Sequence, residues 1–124
     1  MKDIAETVDG YPDGWNESDP TRRAQLIGEV WAEEGKLIDP PLAANGRTEI
    51  SDMAATLQAQ FPDHRFERTS AVDEHHHHFR FSWQLVAADG SVTLNGMDVG
   101  ELADDGIIAR ITGFFGPLSS TEAA

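Results

Sequence analysis

The spacing of apolar residues changes from a helical to an alternating period shortly after residue 63. Before that point Ile50, Met53 and Leu57 recur at steps of three and four residues, which predicts a helix with one core-facing side. After it, apolar and polar side chains alternate along residues 79–85, as in a half-buried strand. A chain of 124 residues is long enough to bury one hydrophobic core. The change of period therefore predicts a single α+β domain with its helices first.

Two Asp-Gly pairs divide the second half of the chain into strands. Asp-Gly is a preferred sequence for a two-residue hairpin turn, and it occurs at 89–90 and 105–106. An earlier turn is expected near 73–74. The predicted antiparallel strands span about residues 64–73, 75–87, 91–103 and 107–116. We expect them to form a curved antiparallel sheet that the helices cover.

The first half of the chain predicts two or three helices. Asp19 is a suitable N-cap and Pro20 a suitable first helical residue, so a helix begins there, and Gly35 can end it. A helical pattern over residues 3–15 is interrupted by Pro12, because proline removes a hydrogen bond from a helix interior.

A short strand and a third helix follow. The strand is predicted at residues 36–39 and is stopped by Pro40 and Pro41. A turn at 45–46 leads into the third helix, which ends before Pro62. We expect the domain to span residues 1–118, and residues 119–124, which are small and polar, to form a frayed tail.

The composition excludes several classes of partner. Nine Lys and Arg residues against 22 Asp and Glu give a net charge of −13, whereas a phosphate-binding surface needs clustered basic residues. Nucleic acid and anionic membranes are therefore not expected as partners. Cysteine is absent, which excludes disulfides and thiolate sites. The start of the chain is too acidic for a secretory signal, and no apolar run approaches the roughly 20 residues of a membrane span, so we expect a cytoplasmic protein.

The two Asp-Gly turns also predict which side chains share a face of the sheet. They set Phe81 opposite Asp98, Asp98 opposite Gly113, and Trp83 opposite Gly96. A lone carboxylate then lies among aromatic rings, with glycines leaving room beside it. Burial there should raise the pKa of Asp98, whereas a one-residue slip of the register would move it to the other face.

Several stretches resemble SnoaL-like proteins of the nuclear transport factor 2-like superfamily. They are Tyr11…Trp15-Asn16…Asp19, Trp31-Ala32-Glu33-Glu34-Gly35…Ile38-Asp39-Pro40, Arg80-Phe81-Ser82-Trp83, Gly96-Met97-Asp98 and Ile111-Thr112-Gly113-Phe114-Phe115. The resemblance covers about residues 4–116. It implies a cone of curved sheet closed by helices, and the superfamily includes ketosteroid isomerases and polyketide cyclases.

The resemblance also implies a set of catalytic residues. Asp39 matches the position of the isomerase general base, Asp98 that of its protonated oxyanion-hole aspartate, and Tyr11 approximates its oxyanion-hole tyrosine. The division of labour between a solvated base and a buried, neutral donor is the one that ketosteroid isomerase illustrates. The roles of the two acids are exchangeable if the substrate binds in the opposite sense.

Structural roles are the alternatives for the same three residues. Asp39 would then only terminate a strand, Asp98 would bind a helix end, and Tyr11 would be a core residue with a satisfied hydroxyl group. The expected ligand-binding residues are otherwise aromatic or apolar, with one histidine, His64, expected opposite Trp83 at the pocket mouth. They are Trp15, Trp31, Met53, Leu57, His64, Phe81, Trp83 and Phe115.

The run of histidines at 75–78 does not predict a metal site. Neighbouring residues of a strand point to opposite faces, so only His75 with His77, or His76 with His78, could share an ion, and two imidazoles make a weak site. We interpret the run as a surface cluster, with His76 and His78 facing outward, and expect no metal and no cofactor.

The outer face of the sheet is more apolar than a surface that is exposed only to solvent. It carries Arg80, Met97, Val99, Glu101, Arg110, Thr112 and Phe114. We therefore expect a homodimer formed through this face, as is common in the superfamily that the chain resembles.

Three functions are compatible with these features. The first is acid–base isomerase, cyclase or hydratase chemistry on a small apolar carbonyl or polyketide-like compound. The second is a non-catalytic binding protein for a small apolar ligand, in which Asp98 only orients a polar group. The third is a dimeric scaffold with a filled pocket, which the glycines beside Asp98 disfavour.

Overall fold

The computed structural model describes residues 3–122 and contains three helices and seven strands within them. The helices are α1 (Ile4–Asn16), α2 (Pro20–Val30) and α3 (Gly46–Gln60). The strands are β1 (Trp31–Ile38), β2 (Ala43–Asn45), β3 (Arg65–Arg68), β4 (Asp73–His75), β5 (His78–Val86), β6 (Val92–Leu102) and β7 (Ile108–Phe115). The ends of the expected domain and tail, residues 1–2 and 123–124, lie outside the described residues.

The strands form one mixed sheet in the order β2-β1-β7-β6-β5-β3, with β4 also paired to β5. The pairs β3–β5, β5–β6 and β6–β7 are antiparallel, as predicted. The expectation of a wholly antiparallel sheet is wrong at one place, because β1 runs parallel to β7. Parallel neighbours need a long connection, and α3 with strands β3–β6 supplies it. The α+β class, with helices on a curved sheet, is confirmed.

Helix α1 is continuous, although Pro12 lies inside it. Proline removes one helical hydrogen bond, but Thr7, Val8 and Tyr11 are all buried on the same helix. Packing of that face supplies most of the stability of a helix in a protein, so it outweighs the lost bond. The predicted interruption at Pro12 is therefore wrong.

Helix α2 ends at Val30, before the predicted stop at Gly35, and β1 begins at Trp31. The start is as predicted, because the Asp19 side chain accepts a hydrogen bond from the Arg22 N–H. A Cβ atom on Gly35 would lie 2.6 Å from the Trp31 ring. Gly35 therefore lets a large buried ring lie across β1 and does not cap the helix.

The turn between β4 and β5 lies at His76 and His77 and not at residues 73–74. Both histidines have positive φ, 50° and 66°, as a two-residue hairpin turn requires. His75 on β4 consequently pairs with His78 on β5. The predicted strand through the whole histidine run is wrong, and so are the alternate pairings His75/His77 and His76/His78.

The predicted register of β5, β6 and β7 is confirmed at every pair named above. The turns themselves are longer than expected: Ala87 bonds to Ser91 and Ala103 to Ile107, around three-residue loops with Gly90 and Gly106 at positive φ. A register shift lies beside each loop: Leu85 pairs with Leu94 but Val86 with Val92, and Glu101 pairs with Arg110 but Leu102 with Ile108. Each bulge takes up the extra loop residue, so the strands return to the register of a two-residue turn.

The inner face of the sheet and the buried faces of the helices form the core. Trp83 and Phe79 lie so close to β6 that a Cβ atom on Gly96 or Gly100 would approach their rings within 2.5 Å. No helix in residues 3–122 is long and apolar enough to cross a bilayer.

Candidate active site

A cavity of about 190 Å³ opens between the helices and the inner face of the sheet. Its polar lining residues are Tyr11, Asp39, Gln60 and Asp98. The rest of its lining is apolar: Trp15, Leu37, Pro41, Leu42, Leu57, Phe61, Phe66, Trp83, Leu85, Leu94 and Phe115. The Pro41 and Gln60 side of the cavity is exposed and therefore marks its open end.

Asp98 lies on the inward face of β6 and is only 4% exposed. Both of its carboxyl oxygens accept a hydrogen bond from a buried side chain. The Tyr11 hydroxyl lies 3.1 Å from Oδ2, and the Trp83 indole Nε1–H donates to Oδ1 over 3.0 Å. Helix α1 and strand β5 therefore hold the carboxyl group from two sides.

Burial raises the pKa of Asp98 from its usual value of 3.8 to about 7. The hydrogen bonds from Tyr11 and Trp83 lower this pKa, because they stabilise the ionised form, and the charge of Asp39 raises it. Desolvation is the largest of these effects. The direction agrees with the expectation for an acid among aromatic rings, and it keeps a neutral carboxyl group populated near neutral pH.

Asp39 directly follows β1, is half-buried and lines the same cavity as Asp98. Its Oδ1 accepts a hydrogen bond from the Leu42 N–H over 3.0 Å, so it also shapes the turn after β1. Burial raises the pKa of Asp39, and the Leu42 hydrogen bond lowers it. A Cβ atom on Gly113 would lie 3.0 Å from Asp98 Oδ1 and 3.2 Å from Asp39 Cβ. The two acids thus flank one glycine of β7.

Tyr11 is both a residue of the hydrophobic core and a hydroxyl group at the cavity, the two roles that the sequence left open. Its ring is 3% exposed and packs against the aromatic rings of Trp15, Trp31, Phe66 and Phe81. Its hydroxyl group nevertheless reaches the cavity beside Asp98. Burial, followed by the charge of Asp98, raises the pKa of Tyr11 well above its usual value. The hydroxyl therefore keeps its proton at neutral pH.

Apart from His64, the other expected ligand-binding residues divide into two groups. Trp15, Leu57, Trp83 and Phe115 line the cavity. Trp31, Met53 and Phe81 are buried in the core outside its lining.

His64 is not at the cavity, because its expected position opposite Trp83 is wrong. Arg68 pairs with Trp83, and His64 precedes β3. The His64 Nε2 atom instead lies 2.7 Å from Thr93 Oγ1. Thr93 lies at the bulge near the start of β6, so this contact joins the residue before β3 to the start of β6, outside the cavity.

Sequence reasoning missed seven of the eleven apolar residues that line the cavity. Leu85 alternates with Trp83 along β5 and pairs with Leu94, so the register alone could have identified both. Phe66 pairs with Leu85 in the same way, once the bounds of β3 are known. The other missed residues are Leu37 on β1, Pro41 and Leu42 in the turn after it, and Gln60 and Phe61 at the end of α3. Phe61 continues the four-residue step from Leu57, so the helical pattern could have identified it, whereas the residues of the turn follow no periodic pattern.

The arrangement suits proton transfer more than metal chemistry. In residues 3–122 no group of three or more His, Asp or Glu side chains is placed to hold a metal ion. The cavity instead brings together two acids of unequal exposure and one hydroxyl group. Such a set can accept a proton at one point and donate a hydrogen bond at another.

Comparisons with known proteins find a matching family model and similar solved structures. The family model described as a SnoaL-like domain matches residues 8–111. A proposed isomerase of the SnoaL-like family from Agrobacterium tumefaciens is 33% identical, with a TM-score of 0.86 over 94% of this chain and 100% of that one. A search of curated proteins found no significant match.

More distant structures share the fold. A proposed SnoaL-like polyketide cyclase from Jannaschia has 17% identity and a TM-score of 0.71, over 90% of this chain and 84% of that one. An NTF2-like protein of unknown function from Exiguobacterium has 19% identity and a TM-score of 0.70, over 90% and 99%. The family model and the Agrobacterium structure together show that the chain belongs to the SnoaL-like family.

Proposed function

We propose that this protein is an acid–base enzyme, an isomerase or cyclase, that acts on a small and largely apolar carbonyl compound. The observation that carries the proposal is the meeting of Asp39 and Asp98 beside Gly113 in one apolar cavity. Their environments differ: Asp98 is nearly inaccessible and held by two donors, whereas Asp39 is half-buried and held by one backbone N–H. The names of the Agrobacterium and Jannaschia relatives point the same way.

Asp39 acts as the base in this reaction. Its carboxylate takes a proton from the carbon next to the substrate carbonyl, and the C–H electron pair becomes the C=C bond of an enolate. The carbonyl π pair moves to oxygen, where the Asp98–Tyr11 pair donates a hydrogen bond to the developing charge. In an isomerase Asp39 returns the proton to another carbon. In a cyclase the enolate carbon attacks a second carbonyl carbon of the same molecule, whose π pair moves to its oxygen and takes up the proton that Asp39 holds.

The size and chemistry of the cavity restrict the substrate. Its volume of about 190 Å³ equals roughly six water molecules at the density of the liquid. Its lining holds no Lys, Arg or His within the described part of the chain. We therefore propose a neutral substrate whose enclosed part is compact, with any larger part extending past Pro41 and Gln60.

Exchange of carbon-bound protons in heavy water tests the proposed chemistry. Proton NMR would follow loss of the α-proton signals of a bicyclic ketone such as 1-indanone with the wild-type protein and with Asp39→Asn. We expect Asp39→Asn to slow exchange by about 100-fold or more, because it removes the base. Asp52→Asn, on the exposed face of α3, is the matched control and should leave the rate unchanged.

The variants of Asp98 add a second comparison. Asp98→Leu should slow exchange by about 100-fold, and Asp98→Asn by less, since an amide still donates a hydrogen bond. Exchange no faster than in buffer, or a full rate with Asp39→Asn, would contradict the proposal.

Non-catalytic binding is the second candidate, and one observation favours it. Both oxygens of Asp98 already have a partner within the protein. Asp98 could therefore orient a polar group of a ligand without entering a reaction. Tight ketone binding without Asp39-dependent exchange would select this candidate over the enzyme.

We also propose that the protein is a homodimer formed through the outer face of the sheet. Three large apolar side chains on that face are exposed: Phe114 by 57%, Val99 by 39% and Met97 by 37%. Around them, Glu101 Oε2 lies 3.6 Å from Arg110 Nε, and Glu101 Oε1 lies 3.8 Å from His78 Nδ1. An apolar centre with a charged rim is the usual composition of a protein interface.

A further inference from the structure

The hydrogen bonds around Asp98 restrict where its proton can be. Trp83 presents only a donor, so Asp98 Oδ1 accepts from it in both protonation states. A carbonyl oxygen accepts more strongly than the hydroxyl oxygen of the same acid. The proton of the neutral acid is therefore favoured on Oδ2, the oxygen that faces the Tyr11 hydroxyl.

The number of O–H groups then determines what the pair can offer a ligand. When Asp98 is ionised, it only accepts, so the single O–H of Tyr11 is used in the bond to Oδ2. When Asp98 is neutral, the pair has two O–H groups but only one hydrogen bond between its two oxygens. Whichever oxygen donates in that bond, one O–H remains for the cavity.

We propose that Trp83 fixes the proton of Asp98 on Oδ2, so that the Asp98–Tyr11 pair offers the cavity one O–H donor when Asp98 is neutral and none when it is ionised. The cavity accordingly selects ligands with a hydrogen-bond acceptor, such as a ketone, in the first state. In the second it selects ligands with a donor, such as an alcohol. Trp83 is a positioning residue in this scheme.

The scheme rests on the proposed function only in placing the ligand in this cavity, and it does not require catalysis. Two other titratable groups face Asp98 from the elements around it: Tyr11 from α1 and Asp39 from the end of β1. The remaining elements contribute groups that do not titrate, Trp83 from β5, Gly113 from β7, and Leu57 and Gln60 from α3. Tyr11 keeps its proton throughout the neutral range, so Asp39 is the one group whose ionisation must be controlled for.

Binding of 1-indanone and of indane, its hydrocarbon counterpart, tests the scheme. Neither compound titrates between pH 5 and 9, and they differ only in the carbonyl oxygen, so the ratio of their affinities isolates the donor. Calorimetry with the wild-type protein should show this ratio falling roughly tenfold as the pH rises through 7, the usual scale of one hydrogen bond left unmade.

Three variants have different expected results. Asp98→Asn should make the ratio independent of pH, because its amide donates at every pH. Tyr11→Phe should keep the pH dependence, because neutral Asp98 still donates and ionised Asp98 does not. Asp39→Asn should also keep it, with a slightly lower midpoint, since the charge of Asp39 raises the pKa of Asp98.

The role of Trp83 has its own readout. The indole donor lowers the pKa of Asp98, so Trp83→Phe should move the midpoint of the affinity ratio to higher pH. A purely structural role would weaken binding of both ligands equally and leave the midpoint in place, which would contradict the positioning role.

A measurement on the wild-type protein alone covers the case of a variant that does not fold. Carbon-13 NMR of the Asp98 carboxyl group should give a higher midpoint with bound 1-indanone than with bound indane, by about one pH unit for a tenfold preference, because coupling between the proton and the ketone is reciprocal. Equal midpoints, or a ratio independent of pH, would overturn the scheme. Normal pH dependence without Asp39-dependent proton exchange would refute the enzyme and leave the scheme intact.

Discussion

The two faces of β6 differ in how much change they can accept. Its inward residues Gly96, Asp98 and Gly100 are buried, and its outward residues Met97 and Val99 are exposed. The inward positions are tightly packed and leave no room for a larger side chain, since a Cβ atom on Gly96 would lie 2.2 Å from the Phe114 carbonyl oxygen. One strand of alternating side chains thus supplies both the floor of the cavity and the proposed dimer surface, with opposite tolerance for substitution.

Substitution of Gly96 should produce the largest difference between the two faces. Gly96→Val forces a side chain into the Trp83 ring and the β7 backbone. We expect it to lower the free energy of unfolding by at least about 3 kcal/mol. The neighbouring Met97→Val should change it by less than about 1 kcal/mol. Urea unfolding measures both, and equal losses at the two positions would remove the distinction between the faces.

The pH dependence of stability should give an effect of similar size, and it belongs to the inward face alone. Between the usual value of 3.8 and about 7, folded Asp98 holds a proton that the unfolded chain has released. The free energy of unfolding should therefore fall as the pH rises through this range. At about 1.4 kcal/mol per pKa unit, the fall is on the order of 4 kcal/mol.

Asp98→Asn isolates this contribution, because an amide does not titrate while the other carboxyl groups are unchanged. Thermal or urea unfolding at several pH values should show a shallower decline in the variant over the same range. Parallel curves for the two proteins would show that Asp98 is ionised in the folded state throughout.

Substitution on the outward face should affect assembly and leave folding intact. Val99→Lys places a charge at the centre of the proposed interface, so sedimentation at micromolar concentration should change from about twice the 13.6 kDa chain mass to the chain mass itself. Its unfolding free energy as a monomer should change by less than about 0.5 kcal/mol. Leu118→Lys, at an exposed position beyond β7, should remain dimeric. A wild-type monomer would refute the proposed dimer.

The sheet was more predictable than the helices that close it. Alternation and the Asp-Gly pairs were enough for the register of β5–β7, because the bulges cancel the unexpected length of the loops. The parallel pairing of β1 with β7 was not predictable, because no local sequence pattern indicates it. The continuity of α1 through Pro12 depends on tertiary packing, which a local rule about proline does not include.

The site was predictable in its residues and not in its contacts. Register placed Asp98 on the inner face, and the family resemblance placed Asp39 and Tyr11 near it. The bond from Trp83 to Asp98 depends on the orientation of an indole ring over Gly96, which the sequence does not specify. The position of His64 failed for a related reason, because the short strand β3 is displaced along β5 relative to the predicted pairing.

Gly113 gives a protein engineer a single position from which to resize the cavity. It contributes no side chain of its own, yet the space above its Cα separates the two acids. One added methyl group would press on the Asp98 carboxyl group and on the Asp39 side chain at the same time. The identity of this residue therefore sets how closely the two acids can approach one ligand, and redesign of the cavity has to retain the glycine or reposition both acids together.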